Sequence, residues 1–172
     1  MSPDSGSAVA ADRPAAEDVI PVLDVGPYLR GEPGALEALA GELRHALEQV
    51  GFYYLSGHDV PLSLIREVFA ATKRFHAQPL ERKLALRANE HNVGYMPVNS
   101  STSRASQVEQ AKKPNLVEAF FLKRDLPPDH PDVLANKRYR PANQWPAEED
   151  APGFRETAVT YMNAMESLCK RM

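Results

Sequence analysis

Few residues in this 172-residue chain are of types that do chemistry. Cys169 is the only cysteine, which excludes an internal disulfide and a CxxC zinc site. It falls on the apolar stripe of a helical pattern, where a thiol reads as a small hydrophobe. No nucleophile triad is supported. Neither glycine-rich stretch carries the lysine and serine of a phosphate loop. The histidines are scattered. His45 lies beside Arg44, off its helix's apolar stripe, and His58 reads as a backbone-bonded turn residue. His76 and His91 read as solvated. His130 and Asp132 flank Pro131, placing an imidazole and a carboxylate in a proline-rich arm that reads as a surface turn.

Composition narrows the partners. The net charge of −3 and pI near 6.0 give no basic field to attract nucleic acid or an anionic membrane. No apolar run approaches the roughly 18 residues of a membrane span. With 43% apolar and 25% charged residues, the chain reads as an ordinary soluble protein. Its fifteen prolines exceed the usual share of about 5%.

The elements that must position these residues are legible in part. Residues 1–18 are small, polar and proline-containing, and read as a disordered tail. They lack the basic start and apolar stretch of a secretory signal, so a cytoplasmic location is expected, which suits a free thiol. Asn99-Ser100-Ser101 matches a glycosylation acceptor, which has no meaning without export. Ile20 to Val25 reads as a short strand, followed by turns through Gly26, Pro27, Gly31, Pro33 and Gly34. Leu36, Leu39, Leu43, Leu47 and Val50 predict an amphipathic helix ended by Gly51. Phe52 to Ser56 reads as a buried strand. Helices are predicted from Pro61 to about Phe75, and from Pro79 to about Arg87.

Asn89 to Gln110 reads as a long polar loop. Leu116 to Leu122 reads as a strand, and the prolines from Pro127 to Pro146 hold an extended arm that Asn143-Gln144-Trp145-Pro146 closes. Phe154, Ala158, Tyr161, Met162, Met165, Leu168, Cys169 and Met172 predict an amphipathic helix over 152–172. Glu156 lies early in it and Lys170 and Arg171 late, as the helix dipole favours. No stop signal follows, and the stripe reads either as that of a terminal helix packing back on its own domain or as one whose partner surface has been cut off.

Several segments then act together. Ile20-Pro-Val-Leu-Asp-Val25, the helix after it and Gly51-Phe-Tyr-Tyr-Leu-Ser-Gly-His-Asp-Val60 resemble the N-terminal region of the isopenicillin N synthase-like non-haem iron oxygenases. Most members of that group use 2-oxoglutarate. Lys83, Gly94-Tyr95 and Glu118-Ala-Phe120 resemble further landmarks of the group, as do Asn143-Gln-Trp-Pro146 and Phe154-Arg155. The resemblance runs from about Ile20 to Met172. It implies an α+β fold: helices packed on a few strands that form the N-terminal part of a double-stranded β-helix (jelly-roll), with the catalytic barrel largely absent. Residues 19–172 are then one dioxygenase N-terminal domain.

The resemblance also implies cofactors. The complete enzyme would use Fe(II) and 2-oxoglutarate, with iron on a His-x-Asp pair and a distant histidine and the 2-oxoglutarate carboxylate on an Arg-x-Ser. His130-Pro131-Asp132 has the form of the pair, but the arm offers neither a rigid scaffold nor groups to orient the imidazole, so it reads as a decoy. Arg104-Ala105-Ser106 precedes His130, whereas the resemblance puts that motif after the second histidine. No metal, catalytic or cofactor-binding residue is therefore assigned, and the chain alone is expected to bind neither cofactor. Tyr95 is a candidate at the mouth of the substrate pocket, with scaffold packing the favoured alternative. Arg87 and Asn92 are candidates to contact a polar substrate.

The expected function is the structural, pocket-shaping part of an oxygenase that oxidises a small molecule while 2-oxoglutarate is decarboxylated to succinate. The expected partners are that small-molecule substrate, in the complete enzyme, and a C-terminal β-helix domain. Nucleic acid and membrane are not expected. The alternatives are a non-catalytic binding module on the same scaffold and one chain of a split oxygenase.

Overall fold

The computed structural model describes residues 20–102 and 113–172. The tail assigned to residues 1–18 and the Arg104-Ala105-Ser106 match lie outside them. The chain divides into two compact units, Met1–Asp59 and Val60–Met172.

In the first unit, β1 (Val22–Asp24) pairs in parallel with β2 (Tyr54–Ser56), in the register Val22↔Tyr54. Parallel neighbours need a long crossover. Here it runs through α1 (Gly26–Leu29) and α2 (Ala35–Gln49). Leu23, Val25 and Leu39 are buried, with Tyr28, Leu43, Tyr53 and Leu55 packed around them. Gly51 takes φ 96°, the left-handed conformation expected at the end of α2. The second strand departs from expectation. Phe52 and Tyr54 are exposed, because β2 has only β1 beside it and turns Tyr53 and Leu55 inward.

In the second unit, α3 (Leu62–His76) and α6 (Phe154–Arg171) pack together. Between them in sequence come α4 (Leu80–Leu84), β3 (Gly94–Met96), β4 (Ala119–Phe121) and α5 (Pro131–Leu134). The core is built on Ala71, Phe75, Tyr95, Ala151 and Phe154. Phe75 is its centre, with ring centroids 4.4 Å from Phe120 and 5.5 Å from Phe154. β3 and β4 are antiparallel, with Tyr95 opposite Phe120.

Four sequence expectations change here. β3 forms inside the segment read as a polar loop, because Tyr95 donates its N–H to the Leu86 carbonyl and accepts from the Ala88 N–H. α5 breaks the arm read as extended, with Pro131 at the first turn, where a missing N–H costs nothing. Leu116 and Val117 are exposed and lie outside β4, so that strand is shorter than read. Cys169 is exposed rather than on the covered stripe of α6.

Candidate functional site

The densest polar cluster in the second unit joins four elements. Lys83 on α4 is buried and donates from Nζ to Glu118 Oε2 at 2.8 Å and to the His76 carbonyl at 3.0 Å. The Tyr95 hydroxyl donates to the same Glu118 oxygen. His76 Nδ1, at the end of α3, lies 3.0 Å from Glu118 Oε1, outside hydrogen-bond alignment. The Lys83 ammonium also sits 5.2 Å from the centre of the Tyr95 ring.

The electrostatics follow from these contacts. The Lys83 hydrogen bond first, and the Tyr95 hydroxyl second, lower the Glu118 pKa from 4.5 to about 2. Glu118 in turn raises Lys83 above its ordinary 10.5, against the opposing effect of burial. Burial first, then the Glu118 hydrogen bond, raises Tyr95 above 10.0. Near neutral pH the cluster holds a carboxylate, an ammonium and a neutral phenol. Because these three groups hold one another, none of the three is a free base, amine nucleophile or phenolate. Its chemistry is positioning: it ties the end of α3, α4 and β3 to the start of β4.

Two side chains of the arm complete the frame. Gln144 Nε2 donates to the carbonyls of Arg87 and Val93 at 3.0 and 2.7 Å. Asn143 receives the Lys123 N–H and returns a hydrogen bond to the Lys123 carbonyl, both at 2.9 Å. Gly94 takes φ 114°, and any Cβ there would collide with the Leu86 carbonyl and the Gln144 amide.

The three pocket candidates separate. Arg87 and Tyr95 are bridge partners along the backbone, yet the Arg87 side chain is exposed while Tyr95 is 1% exposed and engaged by Glu118. Asn92 is exposed at φ 57° in the turn between Asn89 and Val93. His130 and Asp132 form a helix start: His130 Nδ1 accepts the Asp132 N–H at 3.1 Å. Asp132 is paired with Lys137 at 2.6 Å, which lowers its pKa. Two histidines read as solvated are not. His76 faces Glu118, and His91 is buried with Nε2 2.9 Å from Asn136 Oδ1.

Lys83 and Glu118 were not among the site candidates. Their signal was present, since both stand in the landmark segments that also contain Tyr95. Among the described residues, no group of three His, Cys, Asp or Glu side chains could hold a metal ion. The described residues do not fit iron.

Residues 20–148 match the family model described as non-haem dioxygenase in morphine synthesis N-terminal. The chain belongs to this dioxygenase N-terminal family. Among curated relatives of this family member, the 2-oxoglutarate-Fe(II) type oxidoreductase hxnY of Emericella nidulans is 34% identical over 87% of this chain and 42% of its own length. Clavatol oxidase claD of Penicillium crustosum is also 34% identical, over 87% of this chain and 46% of its own. The dioxygenase N-terminal chain therefore spans less than half the length of these relatives. Among solved structures, a full-length Neurospora crassa protein in complex with alpha-KG superposes with a TM-score of 0.70 at 23% identity, covering 92% of this chain and 46% of that one. A putative 2OG-Fe(II) oxygenase family protein of Caulobacter crescentus gives 0.65 at 25% identity, over 88% and 45%. The fold is thus shared with half of an oxygenase. No helix among the described residues is long and apolar enough to cross a membrane.

Proposed function

We propose that this chain is the N-terminal, pocket-shaping part of an Fe(II)/2-oxoglutarate-dependent oxygenase that oxidises a small molecule. The observation that carries the reading is the match of residues 20–148 to a dioxygenase N-terminal family, together with a relative named a 2-oxoglutarate-Fe(II) type oxidoreductase and about twice as long. When bound, iron and 2-oxoglutarate couple oxygen activation to decarboxylation of the co-substrate to succinate. The residues described here do other work. The Lys83–Glu118–Tyr95 cluster and the Asn143-Gln144 pair hold β3, β4 and the 86–88 segment in register. Arg87 and Asn92 stand exposed on that frame, and are assigned to the rim of the substrate pocket. Tyr95 supports the rim from below through its buried ring.

The test is a fusion of this chain to the C-terminal remainder of hxnY, assayed for succinate with Fe(II), 2-oxoglutarate and oxygen. The expected result is succinate from the fusion, and none from the 172-residue chain above a no-protein control. Succinate from the chain alone would overturn the assignment of the iron chemistry to another part of the enzyme.

A further inference from the structure

Glu118 has two carboxylate oxygens, and only one of them is accounted for by aligned hydrogen bonds. Oε2 accepts from the Lys83 ammonium and from the Tyr95 hydroxyl. Oε1 faces His76 Nδ1 at 3.0 Å. Among the described residues, that nitrogen is the one buried side-chain polar atom with no aligned hydrogen-bond partner. Packing fixes the ring that carries it. The His76 centroid lies 5.3 Å from that of Phe75, edge to face, and 6.3 Å from that of Tyr95. The His76 carbonyl meanwhile holds the Lys83 ammonium. The last residue of α3 thus meets the cluster with main chain and side chain both.

The chemistry of imidazole decides where the ring proton sits. A neutral imidazole carries one N–H and one lone pair, and a carboxylate only accepts. With the lone pair on Nδ1, two acceptors would face each other at 3.0 Å, too close for a water between them and each short of a donor. With the proton on Nδ1, the same contact joins a donor to an acceptor. The other nitrogen suits this assignment. Nε2 is not enclosed in the same way, and 24% of the side chain is exposed, so water can donate to the lone pair left there. Lys83 first, then Tyr95, then His76 each favour the ionised form of Glu118.

We propose that His76 is a positioning residue, held as its Nδ1–H tautomer, whose donation to Glu118 Oε1 fixes the rotation of the carboxylate that receives Tyr95. The terminal torsion of a glutamate is soft. With Oε1 unheld, the carboxylate turns and still keeps Lys83, because an ammonium is a compact donor with three rotatable N–H bonds. The Tyr95 phenol, on a ring packed in the core, has no such freedom. A shift of Tyr95 then passes through its backbone bonds to Leu86 and Ala88, which flank Arg87, and along β3 toward Asn92. The proposal rests on the functional reading above only in taking Arg87 and Asn92 as the pocket rim.

Nitrogen-15 NMR of the 172-residue chain tests the tautomer, at about pH 9, above the range in which imidazoles ordinarily titrate. The expected spectrum shows the His76 proton on Nδ1 and a lone pair on Nε2. A solvated imidazole favours Nε2–H, and that pattern at His76 overturns the proposal. Two variants read the consequence. His76→Leu removes the donor, and is expected to shift the backbone amide signals of Tyr95, Arg87 and Asn92. His76→Asn also lacks the ring but returns an amide N–H at the place of Nδ1, and is expected to bring those signals back toward the wild type. Signals that stay in place in His76→Leu overturn the proposal. So does an equal shift in both variants, since lost ring packing rather than a lost donor then moves the rim. If His76→Leu does not fold, the wild-type tautomer and His76→Asn carry the test: rim signals like the wild type support the proposal, and displaced ones overturn it. A fusion that forms no succinate sinks the functional reading and leaves these expected spectra unchanged.

Discussion

Glu118 is the residue on which the second unit turns. It neutralises the buried Lys83, takes the Tyr95 hydroxyl and faces His76. Removing one partner of a buried charge pair strands the other, which costs about 3 kcal/mol or more. Glu118→Gln is therefore expected to lower unfolding free energy by about 3 kcal/mol in urea titrations. The double variant Lys83→Met, Glu118→Gln recovers a large part of that loss, because no charge is then left buried. A cost for Glu118→Gln below about 1 kcal/mol, the range of exposed pairs, contradicts the clasp.

The sign of the pH dependence follows from the same contacts. Glu118 has a folded pKa of about 2, below its ordinary 4.5, so its contribution is complete above pH 4.5 and is lost as pH falls toward 2. Lys83 and Tyr95 are raised, so their contributions are complete below about pH 10 and decline as pH rises further. Stability measured against pH should fall at both ends, and Glu118→Gln should flatten the acid limb between pH 4.5 and 2. An acid limb of unchanged slope in that variant contradicts the assignment. At this scale the sequence was half legible. Residue types and landmark order marked Lys83, Tyr95 and Glu118, but not their meeting: 35 positions separate Lys83 from Glu118. No periodicity encodes a contact of that span.

At the scale of elements, the long helices were readable and the short strands were not. α2, α3 and α6 carry a 3.6-residue apolar period over 15, 15 and 18 residues. β3 has three residues, too few to show alternation, and depends on partners on both sides. Gly94 carries much of that dependence. Gly94→Ala adds a Cβ at φ 114° against the Leu86 carbonyl, at a cost of about 1–3 kcal/mol. Thermal melting checks it, and an unchanged Tm would mean the β3 path is not constrained as described. Asn143 is the second support. Asn143→Ala leaves the Lys123 N–H without its acceptor, worth about 1–3 kcal/mol if that group stays dry. Faster amide exchange at Lys123 in this variant is the specific signature, and no change there argues against the clamp. The arm's prolines pointed to an extended path. Pro131 instead starts α5, because proline suits a first helical turn as well as an extended chain.

At the scale of the whole molecule, the family was legible because several short segments occur in the right order from Ile20 onward. The meeting of His76 with Glu118 was not, because it is a property of packing between α3 and a strand that only the fold brings together. The chain spans less than half of its curated relatives, and the described residues do not fit iron. On the proposed reading, framework and pocket rim belong to this half and iron chemistry to the other. Succinate release by the fusion with the hxnY remainder, measured beside the 172-residue chain under the same Fe(II), 2-oxoglutarate and oxygen, tests that division most directly. The account predicts succinate from the fusion and background from the chain. Succinate from the chain alone, or a folded fusion that forms none, contradicts it.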